Sequence, residues 1–424
     1  MAGGTPWRNQ WERKGTPLQR RTRRHATWLI AALLILVTFV PVGRLTSTAH
    51  AGTTDEVRTR LLGPGWDQPG VVRLKWITIT VWLASFGGHV VMLDSTVMNY
   101  LGQPEAKTDY ISLDDVIAAK PEYIFQNHVH LDQMRHAARI ATATGAKLVG
   151  AQEHCTFTKR DAQLKGLDPE KVHCVAVRDN GGKWFTGGDT YAGSPTSLVF
   201  TPFGTIGKPD EMPPGVDVRV VNIKHTQLRP YPGSMVGNEG HKPDVSPYSK
   251  TPPTPQSALD LAMTQDYEGG NLLYVFKIGD FTLVHHGSSG SLDPLEPGQA
   301  EIKSALRSIG ANDRVDMEIG GIAELQNYAN GLIDAQRYAE EIGAKTYIPQ
   351  HHGNWNPPAT ADAVNYFAPW SARIGNIDPA RRPQLCFITE ANRATAFSIN
   401  TSEWAGDSVG TITPLLGPGC YTGG

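Results

Sequence analysis

Asn127-His128-Val129-His130-Leu131-Asp132-Gln133 joins the apolar run Glu122–Gln126 to a helical pattern over 132–144. Two imidazoles at i and i+2 on a strand-ending loop can point the same way, and a carboxylate follows two residues later. Neutral imidazole and carboxylate are the ligands of borderline metals such as Zn²⁺. Taken alone, the stretch also reads as a structural strand-to-helix turn with Asp132 as N-cap. Further histidines after later strands favour the metal reading. His225 follows the alternating run Val216–Ile223, with His241 as a rival, and His351 follows Lys345–Pro349, with His352 beside it.

The pattern around this stretch alternates strand and helix. Strands are expected over 76–83, 89–93, 122–126, 147–151, 216–223 and 315–319. The runs 272–278 and 281–285 form a hairpin around Gly279-Asp280, and a further strand covers 345–349. Helices are expected over 113–120, 132–144, 299–309 and 332–342. Residues 152–215 read as an inserted loop region with hairpin-like pieces such as Arg178-Asp179-Asn180-Gly181-Gly182, and 229–258 as a long Pro/Gly-rich loop. Helices alternating with strands point to α/β layers, with the candidate ligands just past the C-terminal ends of strands. His136 reads as a packed helix residue, His154 as structural, and His285 as a strand residue facing away from the site. Trp355 is a candidate for lining the substrate cleft.

The chain has 424 residues, 39 Lys plus Arg against 41 Asp plus Glu, and four cysteines. Residues 1–51 hold eight of the basic residues and one acidic residue, leaving 31 positive against 40 negative side chains, net −9, in residues 52–424. That acidic body argues against a nucleic-acid partner, which would need a basic face for phosphate contacts. The segment 1–51 combines a basic stretch (Arg20 to Arg24), an apolar stretch from Trp28 to Val40, and Ala49-His50-Ala51. It is expected to be a secretory signal. The paired arginines suggest the twin-arginine route. If uncleaved, this segment is the one expected membrane contact. Residues 52–424 are then a single exported domain, extracellular, periplasmic or at the cell surface. An oxidising compartment favours two disulfides, and proximity suggests Cys155–Cys174 and Cys386–Cys420 among the three possible pairings.

With these residues in hand, the chain resembles the metallo-β-lactamase superfamily over roughly residues 76–360. The family motif H-x-H-x-D-H is matched by His128, His130 and Asp132, with Gln133 in place of its last His. The family's early Asp is matched by Asp94, its third His by His225 and its last His by His351. Its bridging Asp falls at Ser288 in Gly287-Ser288. Val315-Asp316-Met317-Glu318-Ile319-Gly320-Gly321 is similar to the branch containing ascorbate-6-phosphate lactonase and N-acylphosphatidylethanolamine phospholipase D. The resemblance implies a four-layer αββα sandwich with metal at one edge.

Gln and Ser are weak neutral donors, and losing the bridging carboxylate removes the charge that holds two cations together. One ion on His128, His130 and His225 is therefore expected, Zn²⁺ first, with Mn²⁺ or Fe²⁺ as alternatives. Asp132 and His351 are expected beside it as base, orienter or weak fourth ligand, with Asp132 as the proton acceptor. Asp94 is expected to support the metal loops, while Gln133, Ser288 and His286 are weaker candidates for support or ligation. The implied activity is hydrolysis of an ester, lactone or phosphodiester in a small-molecule substrate by metal-bound hydroxide. The alternative is a non-catalytic metal- or ligand-binding protein on the same fold.

Overall fold

The computed structural model describes residues 52–97, 111–178, 184–185, 201–202, 215–225, 270–294, 299–322, 332–352, 364–388, 396–417 and 419–421. The signal-like segment 1–51, the Pro/Gly-rich loop 229–258, His241 and Trp355 lie outside these residues.

One sheet is built from β1 (Val71–Thr78), β2 (Val81–Phe86), β3 (His89–Leu93), β4 (Tyr123–Phe125), β5 (Lys147–Gly150) and β6 (His173–Ala176), together with β14 (Ala396–Asn400) and β15 (Ile412–Pro414). Its order is β15-β14-β1-β2-β3-β4-β5-β6. The second contains β7 (Thr201–Pro202), β8 (Val216–Ile223), β9 (Asn271–Ile278), β10 (Phe281–His286), β11 (Met317–Gly321), β12 (Thr346–Gln350) and β13 (Gln384–Leu385), in the order β13-β12-β11-β10-β9-β8-β7. The facing side chains of the two sheets form one apolar layer, with Leu74, Trp76, Phe125, Phe276, Leu283 and Ile348 fully buried in it.

Helices cover the outer faces, because each sheet also carries apolar residues on its other side. The first sheet is covered by α1 (Thr54–Leu62), α2 (Leu113–Ala119), α4 (Ala137–Thr144) and α5 (Gln152–Leu164). A short α3 (Leu131–Met134) precedes α4. The second sheet is covered by α6 (Gln299–Asp313), α7 (Ile333–Ile342) and α8 (Val364–Gly375). Helix, sheet, sheet, helix is the expected four-layer αββα sandwich.

Strand direction places the site. β3, β4 and β5 are mutually parallel. In the second sheet β10, β11 and β12 are parallel, and β8 runs with β10 because both are antiparallel to β9. His128, His225, Ser288 and His351 follow the ends of β4, β8, β10 and β12, one to three residues on in each case.

Several expectations are corrected. The strand expected over 76–83 is two arms of a hairpin, β1 and β2, with Ile79 at φ +47° in the turn between them. No Gly or Pro marks that turn. A β-branched residue with positive φ is rare, and here tertiary contacts hold it: Thr80 Oγ1 donates to Asp94 at 2.7 Å, and Ile79 O accepts from His351 N at 2.9 Å. The helix expected over 132–144 is broken into α3 and α4. The inserted loop expected over 152–215 begins instead with the 13-residue α5 and then β6. The α5 face that packs inward carries His154, Cys155, Thr158, Asp161 and Ala162, too polar to look like a helix stripe. Beyond β6, Arg178 bridges to Trp184, while residues 179–182 of the expected hairpin lie outside the described residues. The C-terminal strands β14 and β15 had no sequence signal among the expectations, and β14 pairs with β1.

Both suggested disulfides are present. Cys155–Cys174 ties α5 to β6, and Cys386–Cys420 ties the C-terminal tail to the segment after β13.

Asp316 lies at the N-terminal end of β11, away from the histidines. It is 1% exposed, accepts from Thr282 N at 2.8 Å and pairs with Lys345 at 2.6 Å. Lys345 Nζ also donates to the carbonyls of Trp404, Gly406 and Ser408 at 3.2, 2.9 and 2.7 Å. This ammonium gathers the C-terminal turn onto the sheet. Lys345→Met leaves a buried carboxylate uncompensated and is expected to lower unfolding stability by about 3 kcal/mol. The check is the denaturant midpoint at unchanged m-value. A loss under about 0.5 kcal/mol, within the range of an ordinary surface substitution, would show that the clamp contributes little.

Candidate metal centre

His128 and His130 leave β4 on one loop, and His225 comes from the end of β8 in the facing sheet. Their ring centroids are 4.7 Å (128–130), 4.6 Å (128–225) and 4.5 Å (130–225) apart, with interplanar angles of 85°, 75° and 76°. One ring nitrogen from each lies within 4.8 Å of the others. His128 and His130 are buried and His225 is half-buried.

Neither ring nitrogen of His128 has a hydrogen-bond partner among the described residues, although the side chain is fully buried. Burial holds its pKa well below the ordinary value, reinforced by His225 and His130. A neutral imidazole with a bare, buried lone pair carries a desolvation penalty that a cation would relieve. The donor set therefore fits a metal: three neutral nitrogens from two sheets, with one side left for water or substrate.

The loop carrying His128 is fixed by Asp94, a fully buried carboxylate at φ +56° just past β3. Asp94 accepts from Asn127 N at 2.8 Å, Gln126 Nε2 at 3.1 Å and Thr80 Oγ1 at 2.7 Å. Burial pushes its carboxyl up against those hydrogen bonds. Asn127 then crosses to the other sheet: its Nδ2 donates to Leu272 O at 2.6 Å, and its O accepts from Leu272 N at 2.9 Å.

Asp132 and His351 meet beside the three rings, with His351 Nε2 3.1 Å from Asp132 Oδ2. Burial alone would raise Asp132, but the hydrogen bond and charge of His351, with His130 and His225 behind it, hold it below the ordinary carboxylate value. His351 takes φ +64°, a strained conformation for a non-glycine residue.

Its neighbour His352 points into the core. His352 stacks between Trp76 and Phe387 at 5.1 and 4.5 Å, and its Nε2 bonds Pro349 O at 3.1 Å.

The weaker candidates divide. Gln133 is fully buried, and neither amide atom has a hydrogen-bond partner among the described residues. Ser288 is buried on the 287–290 loop. His286, a candidate for support or ligation, is not one of the three clustered rings. Its Nδ1 lies 2.9 Å from Ser288 O and its Nε2 2.9 Å from Glu318 Oε1, on the helix-covered face of the second sheet. Adjacent strand residues face opposite ways, so His285 turns between the sheets. It bonds Thr80 O at 3.2 Å and Gln350 Nε2 at 3.1 Å. His154 spans from α5 to Gly270 O at 2.9 Å, and His136 accepts from Val97 N at 3.1 Å. Sequence reasoning missed Glu318 and Gln350. Glu318 is a lone acid inside an apolar strand, which is a signal in itself.

No family model matches the chain. An 82-residue stretch, 19% of the chain, is 30% identical to a UPF0173 metal-dependent hydrolase of Pyrobaculum arsenaticum, and the match covers 33% of that protein. The chain thus spans about a third of the length of the curated relatives it matches. Among solved structures, it is similar to Igni18, a metallo hydrolase from Ignicoccus hospitalis (TM-score 0.45, 13% identity, 78% of this chain and 98% of that one). It is also similar to the metallo-β-lactamase fold protein YhfI from Bacillus subtilis (TM-score 0.42, 9% identity, 78% and 98%).

The two adjacent histidines should separate by measurement. His352→Ala empties a slot between two aromatic rings and is expected to lower stability by about 3 kcal/mol. His351→Ala truncates a residue at the site rim and should lower it by less than about 1 kcal/mol. Chemical unfolding of both variants checks the assignment, and the reverse order would overturn it.

Proposed function

We propose that the chain is an exported metal-dependent hydrolase holding one ion on His128, His130 and His225. The observation that carries this reading is the convergence of three rings from two sheets around the buried, unpartnered nitrogens of His128. When bound there, Zn²⁺ or a related divalent ion would acidify a water molecule to a pKa of roughly 7 and polarise the substrate's oxygen. Everything else is work for the chain's own residues. Asp132, held ionised, accepts a proton at a carboxylate oxygen, and His351 Nε2 orients that carboxylate from 3.1 Å. Half-buried His225 leaves the approach on its side open, while the buried loop behind His128 excludes water from the other.

Gln133 and Ser288 support one ion rather than two. Neither side chain offers an anionic donor, so a second cation would lack the carboxylate that offsets repulsion from the first. The proposed substrates are small esters, lactones or phosphodiesters, whose carbonyl or phosphoryl oxygen suits a Lewis acid. The similarity to a UPF0173 metal-dependent hydrolase supports the reaction class. Export is supported by the signal-like segment 1–51 and by two disulfides, which persist in oxidising compartments. The altered second site also favours a rival reading, a binding protein that keeps its ion and has no turnover.

Elemental analysis of the purified protein is expected to give one metal equivalent, lost in His130→Ala. A panel of phosphodiesters and lactones should be turned over by the parent and not after chelation. Two equivalents would contradict the one-ion reading. One equivalent without turnover would favour the binding protein.

A further inference from the structure

We propose that the buried pair His286–Glu318 is a positioning device that sets the spacing of the three-histidine cluster through the loop Gly287-Ser288-Ser289-Gly290. The inference rests on the metal site proposed above. It begins with where that loop lies. At one end Gly287 packs against the loop of His128: a Cβ there would stand 2.9 Å from Asn127 Oδ1 and 3.3 Å from Asp94 Oδ2. At the other end Gly290 N donates to Lys224 O at 2.9 Å, and a Cβ on Gly290 would stand 2.4 Å from Lys224 Cβ, one residue before His225. Four residues therefore fill the gap between the two segments that bring the histidines together. A shift in the loop must move one segment against the other.

The loop is held from behind. Ser289 Oγ donates to Gly321 O at 2.9 Å, and Gln350 Nε2 donates to His286 O at 2.9 Å. His286 Nδ1 contacts Ser288 O at 2.9 Å. A carbonyl can only accept, so Nδ1 carries a proton and donates. Nε2 and Glu318 Oε1, 2.9 Å apart, then share one more proton, and either sharing fixes the ring. Both side chains are fully buried, and the His286 ring lies 5.3 Å from that of Tyr338. An acid placed in the outer helix-covered layer adds nothing to packing there. Its place is explained by the ring it orients.

The pair touches neither the three rings nor the open side, so its effect runs through geometry. Groups behind metal ligands typically change affinity by roughly 10–100-fold. The test is Co²⁺ titration of the metal-stripped full-length chain, following both affinity and the visible absorption that reports coordination geometry. Glu318→Ala is expected to weaken Co²⁺ binding about tenfold and alter the spectrum. His286→Gln, which can still reach Glu318 while releasing Ser288 O, is expected to do the same and serves if Glu318→Ala does not fold. Glu318→Gln, which keeps a hydrogen bond to Nε2, should restore the parental spectrum. Lys345→Met, destabilised at the far end of the sheet, should bind Co²⁺ like the parent. A folded Glu318→Ala or His286→Gln with parental affinity and spectrum overturns the positioning role. A parent that binds no Co²⁺, or a His130→Ala that binds as the parent does, overturns the metal site itself and this inference with it.

Discussion

Two sheets that pack face to face do not by themselves agree on where their ends meet. In this chain the agreement comes from Asn127, whose side chain and carbonyl both bond Leu272 at the start of β9. Asn127 is in turn held by the Asp94 carboxylate, which also takes Gln126 and Thr80. This polar seam fixes the end of β4, where His128 sits, relative to the strand that pairs with β8, where His225 sits. Without it the histidines would belong to two independently placed loops. Burying a carboxylate is unfavourable unless its oxygens are satisfied. Asp94 meets that condition, so the seam can be both rigid and dry.

Strained backbone gathers around the same seam. Ile79, Asp94 and His351 all have positive φ, and none is glycine. Each is held by contacts across the edge: Ile79 O accepts from His351 N, and Asp94 faces Thr80. Such conformations persist where the surroundings over-determine them, and they cluster at sites that need fixed geometry. The core elsewhere needs no such measures, because alternating apolar residues settle the strands.

That contrast explains what the sequence made legible. Strands β3, β8 and β9 follow directly from runs of branched and aromatic residues bounded by turn residues, and the metal-binding pattern follows from His-x-His-x-Asp after the short apolar strand β4. The turn at Ile79-Thr80 was hidden, since its stability lies in partners more than ten residues away. Helix α5 was hidden for another reason: its buried face includes His154, Thr158 and Asp161, which satisfy partners in the fold and not a hydropathy pattern. The role of His286 stayed open between support and ligation for want of one fact, the partner of its Nε2. A histidine two residues before a candidate ligand looks like a ligand until Glu318, on a strand more than thirty residues later, is seen to hold it.

Gln133 and Ser288 take their physical meaning in the proposed site from this framework. A site without an anionic bridge must either hold one cation or find charge elsewhere. Among the described residues, Asp94 is committed to the seam and Glu318 to His286, which leaves Asp132, bonded to His351, as the carboxylate beside the three rings. None stands where Ser288 does. In the proposed reading, three imidazoles with a single nearby carboxylate would suit one divalent ion and leave it a net positive charge. That excess would attract an anionic or strongly polarised oxygen, and the same electrostatics that disfavour a second cation would make the first a stronger Lewis acid.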